Sequence, residues 1–207
     1  MFDAFIKGFT ISLLLIFSVG PVIFTTIKHS LNNGRNGGLS FVAGVWLSDV
    51  FWVILSNVFS EAMSHLLSFQ HQIGIAGSFF LIGLGIFYVF FKKFILKDAE
   101  TKILISARTH AKLIGSGFII NTLNPAVITF WLTTATAISV SHNIQQRIII
   151  FTTCLFFNSA ADITKVLLAE KIRKKLTEKN INLFNRISGT ILILFGIALL
   201  LGLLKNH

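Results

Sequence analysis

The chain has 207 residues, 54% of them hydrophobic and only 13% charged, with 22 Phe and a mean hydropathy of +0.79. A water-soluble domain carries about 25% charged residues, so a soluble globular protein is excluded as the expected class. The net charge of +10, from 18 Lys and Arg against 8 Asp and Glu, raises nucleic acid as a partner, but the positions of these charges point to membrane topology and contact with anionic lipid.

A bilayer core takes roughly 20 apolar residues to cross as a helix, and the chain offers six such segments: 8–27, 38–60, 73–91, 113–141, 148–169 and 187–204. Backbone groups in lipid must pair internally, and the short alternating strands of a barrel are absent, so the expected fold class is an all-α integral membrane protein. The first segment follows Lys7 as a signal peptide would, but its uncharged run is too long and lacks a small-residue cleavage pattern. It is therefore read as a spanning helix.

This first segment contains Gly20-Pro21 in "SVGPVIFTT", and the second contains a single charge, Asp49, near its centre. The third, "GSFFLIGLGIFYVFF", has no charge, and the fourth, also uncharged, contains "NTLNPAVITFW" with Asn121, Asn124 and Pro125. The fifth carries Asp162 and Lys165 and the only cysteine, Cys154, which excludes an intrachain disulfide or a two-thiol relay. The sixth reads "RISGTILILFGIALLLG". The six histidines lie in or near loops and ends without metal-ligand spacing, so solvated surface is expected and no metal site or cofactor.

Of the 18 Lys and Arg, 14 fall in three connections: Lys28 and Arg35; Lys92, Lys93, Lys97, Lys102, Arg108 and Lys112; and Lys171, Arg173, Lys174, Lys175, Lys179 and Arg186. The positive-inside rule then puts these loops in the cytoplasm and both termini outside.

Six helices divide into two sets of three with opposite orientation, and the sequence marks such a division. Pro21 and Pro125 interrupt the first and fourth segments, Asp49 and Asp162 sit in the second and fifth, and the third and sixth both begin with Gly followed by Ser or Thr. The expectation is one transmembrane domain over 1–207 built from two inverted repeats, about 1–98 and about 105–207. Interrupted helices at matching places in inverted repeats point to a secondary transporter.

The residues that are costly in a membrane locate its site. An interior proline costs about 3 kcal/mol or more, and its return is a half-helix end whose N–H groups suit an anionic group. A simple packing kink is the alternative. A carboxylate at the depth of Asp49 costs about 2.5–3.5 kcal/mol; there it can carry a proton, bind a substrate ammonium, or only bridge helices. Asp162 and Lys165 share a helix face three residues apart, so they either pair with each other or serve the site, and Lys165 is close enough to the span's end to snorkel. The glycines of the third and sixth segments permit close helix packing, including a homo-oligomer.

At this point the chain resembles the LysE/RhtB family of bacterial amino-acid exporters, over nearly its whole length. The similarity lies in "SVGPV", in "LNNGRNGGLSFVAGVWLSDVFW" with its Gly-x4-Asp, in "NTLNPAVITFW", in the basic end of the fifth segment and in the sixth. Ser18 and Val19 stand where the family's first Pro-Gly lies, and Ala126 stands where a Lys often follows Asn-Pro. The resemblance implies six helices in the bacterial inner membrane and proton-coupled export of amino acids or their derivatives, with Gly20, Pro21, Asp49, Asn124 and Pro125 important. The residues themselves add Asn121, Asp162 and Lys165 as substrate-binding or coupling candidates. Substrate ammonium at Asp49, substrate carboxylate at the two half-helix ends, and one three-helix half rocking against the other form the expected mechanism. A cation or metal-ion exporter is the alternative, and no enzyme is expected, because no nucleophile–base pair or phosphate-binding motif lies at a membrane face.

Overall fold

The computed structural model describes residues 1–17, 21–58, 70–90, 105–173 and 177–205. Seven helices account for most of them: α1 (Phe2–Phe17), α2 (Pro21–Val58), α3 (Gln70–Phe90), α4 (Ala107–Thr122), α5 (Pro125–Ser141), α6 (Ile144–Arg173) and α7 (Glu178–Lys205). No strand occurs among the described residues. Gly20, Lys92, Lys93, Lys97, Lys102, Lys174 and Lys175 lie outside them.

Local sequence sets the helix ends. Pro125 opens α5 at the first helical position, where the missing N–H has no intrahelical partner to lose. Ser106 caps α4 by accepting from the Thr109 N–H. Asn143 and Gln146 exchange side-chain-to-backbone bonds of 3.0 and 3.1 Å at the start of α6, a reciprocal capping box.

Helix α2 is not one rod. Gly34 takes φ 68° and ψ −172° inside it, a backbone state that only glycine adopts without strain. The rings of His29 and Phe41 stack at 4.9 Å across this point, whereas residues so spaced in a continuous helix would lie about 18 Å apart. The chain therefore folds back at Gly34 into two arms, residues 21–33 and 35–58. This corrects the reading of Lys28 and His29 as loop residues: both lie in the first arm and are buried.

Close backbone approach sets the strongest pairing of the second arm. An added Cβ at Gly44 would run into the Ile114 carbonyl oxygen, and one at Gly117 into the Phe41 carbonyl oxygen, so α2 and α4 meet backbone to backbone. Helix α1 packs along α6, α2 also meets α6, α5 and α7, and α3 packs along α7. One apolar cluster joins α1, α2, α5 and α6 around Trp52, Trp131, Phe151 and Cys154. A separate small one, Leu81 and Leu192, holds α3 to α7. Gly74, Gly85 and Gly196 lie in that interface, while Gly83 and Gly202 face open space.

The outer surface is apolar: Leu14, Phe79, Phe90, Ile148, Phe156 and Leu194 are all more than half exposed. Such a surface fits lipid and not water. Among the described residues two helical stretches, Pro21–Asn57 and Ile144–Lys171, are long and apolar enough to cross a bilayer, and α4 with α5 forms a third span bent by 64°. Gly74–Phe87 and Gly189–Leu204 are shorter apolar helices. An unbroken Pro21–Asn57 rod would be about 55 Å long, far beyond a bilayer core of about 30 Å, which is why the reversal at Gly34 matters. The protein is an all-helical, multi-pass membrane protein.

Candidate functional site

The break between α4 and α5 is built by two asparagines and a proline. Helix α4 ends at Thr122, and the Leu123 N–H still reaches back to the Ile119 carbonyl at 2.9 Å. Asn124 then turns extended, φ −77° and ψ 112°, and caps α5 by accepting from the Ala126 N–H at 3.1 Å. Its carbonyl oxygen accepts from Val127 and Ile128, each at 3.0 Å, while Pro125 has no N–H. Every N–H in the first turn of α5 is therefore already bonded within the chain. An anionic group here meets the helix dipole, and it reaches a bare N–H only by displacing the Asn124 side chain. This qualifies the expected half-helix anion site.

Asn121, at the other side of the break, points at the second arm of α2. Its amide donates to the Val45 carbonyl at 3.3 Å and to Asp49 Oδ1 at 2.8 Å. The Trp131 indole, from α5, donates to the same oxygen at 3.0 Å, and Asn158, from α6, donates to Asp49 Oδ2 at 3.3 Å. Asp49 is buried, as are all three donors. One carboxylate thus gathers donors from three other helices, two of them on opposite sides of the broken span. Bonds to a charged acceptor are the strong kind, so Asp49 holds α4 and α5 in their bent relation. Ser48 and Thr122 reinforce the same crossing with a 2.7 Å hydroxyl contact.

Lys165 donates to Asp162 at 2.8 Å, one helical turn apart on α6, with side chains 20% and 11% exposed. The pair is therefore formed and largely sheltered, not snorkelled apart. Asn158 lies one turn before Asp162 on the same helix, so α6 presents Asn158, Asp162 and Lys165 along one face.

These groups line a cavity of about 990 Å³. Pro21, Asp49, Asn121, Asn124, Pro125, Asp162 and Lys165 all contribute to its wall, together with Asn158, Thr129 and Thr133. Seven of the eight site residues expected from the sequence therefore meet at one place, and the eighth, Gly20, lies outside the described residues. Trp131 and Asn158 were not legible as site residues. Asn158 had a weak signal in its spacing of four from Asp162; Trp131 had none, since an aromatic in an apolar helix reads as packing.

The third helix meets the break at Gly77. A Cβ on Gly77 would lie 2.7 Å from Pro125 Cδ, so the absence of a side chain there lets α3 rest against the break itself. Among the described residues no three His, Cys, Asp or Glu side chains come together to hold a metal ion.

The model of the LysE type translocator family matches residues 13–203, and the chain belongs to that family of membrane transporters. Its substrate is accordingly a small molecule. No curated protein and no solved structure matches the chain.

Proposed function

We propose that this LysE-type translocator exports amino acids or small amino-acid derivatives from the cytoplasm of a bacterium in exchange for protons. The observation that carries the reading is the buried Asp49 carboxylate on the wall of a large cavity, bonded across a broken span. The substrate ammonium meets Asp49, and its carboxylate meets the dipole at the start of α5 and the Lys165 ammonium. An ionised carboxylate has about four acceptor positions, and three are taken, so one remains for the ammonium.

The coupling step follows from the same bonds. A proton on Asp49 converts charge-assisted bonds from Asn121 and Trp131 into weaker neutral ones, which loosens the bend between α4 and α5. Substrate and proton then compete for one carboxylate, as exchange requires.

The packing also supports the six-span, inverted-repeat plan. If the span formed by α1 and the first arm of α2 corresponds to α4 with α5, the second arm to α6, and α3 to α7, then the α1–α6 packing answers the α4–α2 packing. The α2–α6 and α3–α7 pairs each correspond to themselves. That plan puts both termini outside, in the bacterial inner membrane. The moving parts divide differently from the plan of the repeats. Helices α3 and α7 come from different halves yet pack mainly on each other, meeting the remainder chiefly through α2 and α5. Alternating access is movement of the α3–α7 pair over the Asp49 body, with Gly77 on Pro125 as one contact between them.

The test is efflux from proteoliposomes loaded with an amino-acid mixture, with and without an imposed pH gradient, for the parent and Asp49→Asn. Gradient-driven efflux that the substitution abolishes is the expected result. Folded parent protein that moves no amino acid under any gradient sinks the reading.

A further inference from the structure

The polar groups of the cavity wall are confined to some of its elements, and this has a consequence for selectivity. Its polar groups come from the second arm of α2 and from α4, α5 and α6: Asp49, Asn121, Asn124, Asn158, Asp162 and Lys165. The part of the wall from α1, α3 and α7 supplies Leu14, Leu81, Phe195, Ala198 and Leu203, with His71 as its one titratable group among the described lining residues.

An amino acid carries its ammonium and carboxylate on one carbon, so both charges bind the polar side together and the side chain must extend toward the apolar wall. A second ammonium there meets no carboxylate among the described lining residues, because Asp49 lies with its three donors and Asp162 is bonded to Lys165. Leaving a charge against an apolar wall is costly. The cavity of about 990 Å³ is at the upper end of the roughly 300–1,000 Å³ found for ligand pockets. A side chain of one or two atoms leaves most of it unfilled.

From this division, and resting on the export reading above, we infer that the protein selects neutral zwitterionic amino acids with large apolar side chains. The α3–α7 wall is its side-chain pocket. Ala198, a small residue on that wall, leaves room that a larger residue would take away.

The experiment is counterflow into proteoliposomes, with leucine, methionine and phenylalanine compared against alanine, threonine, lysine and glutamate at equal concentration. The large apolar set should exchange at least about ten-fold faster than the others, the usual effect of a few methylenes in an apolar pocket. Ala198→Trp should reverse the order within that set, slowing phenylalanine most. Faster exchange of lysine or threonine overturns the inference while leaving amino-acid export intact. So does exchange indifferent to side-chain size, the result expected if lipid acyl chains fill the apolar wall. Folded protein that exchanges no amino acid overturns the export reading itself, and the inference with it.

Discussion

Asparagine and alanine at position 49 separate the two roles of the carboxylate, because they remove its charge in different ways. In the parent, Asp49 accepts from Asn121, Trp131 and Asn158. Bonds to a charged group contribute about 1.5–3 kcal/mol and neutral ones about 0.5–1.5, so asparagine gives up roughly 3 kcal/mol over three bonds. It also removes a carboxylate whose burial in the membrane costs about 2.5–3.5 kcal/mol. These offset, provided the Asn158 amide turns its oxygen toward the new amide, and Asp49→Asn should fold with stability within about 1 kcal/mol of the parent. Alanine accepts nothing. Asn121 keeps the Val45 carbonyl, but Trp131 and Asn158 lose the acceptor they share, at about 1–3 kcal/mol for each buried donor. Asp49→Ala should therefore be less stable than Asp49→Asn by about 2–6 kcal/mol. Denaturant unfolding in detergent micelles measures this difference, and gradient-driven efflux measures the function that both variants should lose. Equal unfolding free energies for the two variants would refute the hydrogen-bond reasoning. Parental efflux by Asp49→Asn would refute the coupling role.

Trp131→Phe keeps the aromatic packing and removes one donor to Asp49, so it should cost about 1.5–3 kcal/mol and slow gradient-driven efflux; parental efflux would show that the indole only packs. Lys165→Met leaves Asp162 without its partner and should cost about 3–5 kcal/mol, a loss that a second change, Asp162→Asn, should largely restore. If the double variant also exports like the parent, the pair is structural and not part of the binding site. Gly77→Ala puts a carbon 2.7 Å from Pro125 Cδ, roughly 1 Å inside the favourable separation, and should cost about 1–3 kcal/mol by overpacking. It should also slow efflux, whereas Gly83→Ala, with nothing within 4 Å, should change neither; identical behaviour of the two variants would remove Gly77 from the gating contact.

The sequence alone determined the solvent, the break at Pro125 and most of the polar residues that line the candidate cavity. Apolar runs without charge admit only membrane helices. A proline removes a backbone donor wherever it stands, and a lone Asp49 or a paired Asp162–Lys165 in such a run is costly enough to mark itself. These are local costs, and local costs are legible in a string of residues. Only the tertiary structure decided how the residues meet. The three donors to Asp49 lie 72, 82 and 109 residues away in sequence, and no periodicity links them. Lys28 and His29 read as a solvated turn because they are polar, yet the reversal at Gly34 folds their arm back into contact with the next. Gly77 read as one more helix-packing glycine until its neighbour proved to be Pro125. Which side chains share a cavity depends on how helices cross, and crossing is fixed by backbone approach and long-range bonds that the sequence encodes only through the whole fold.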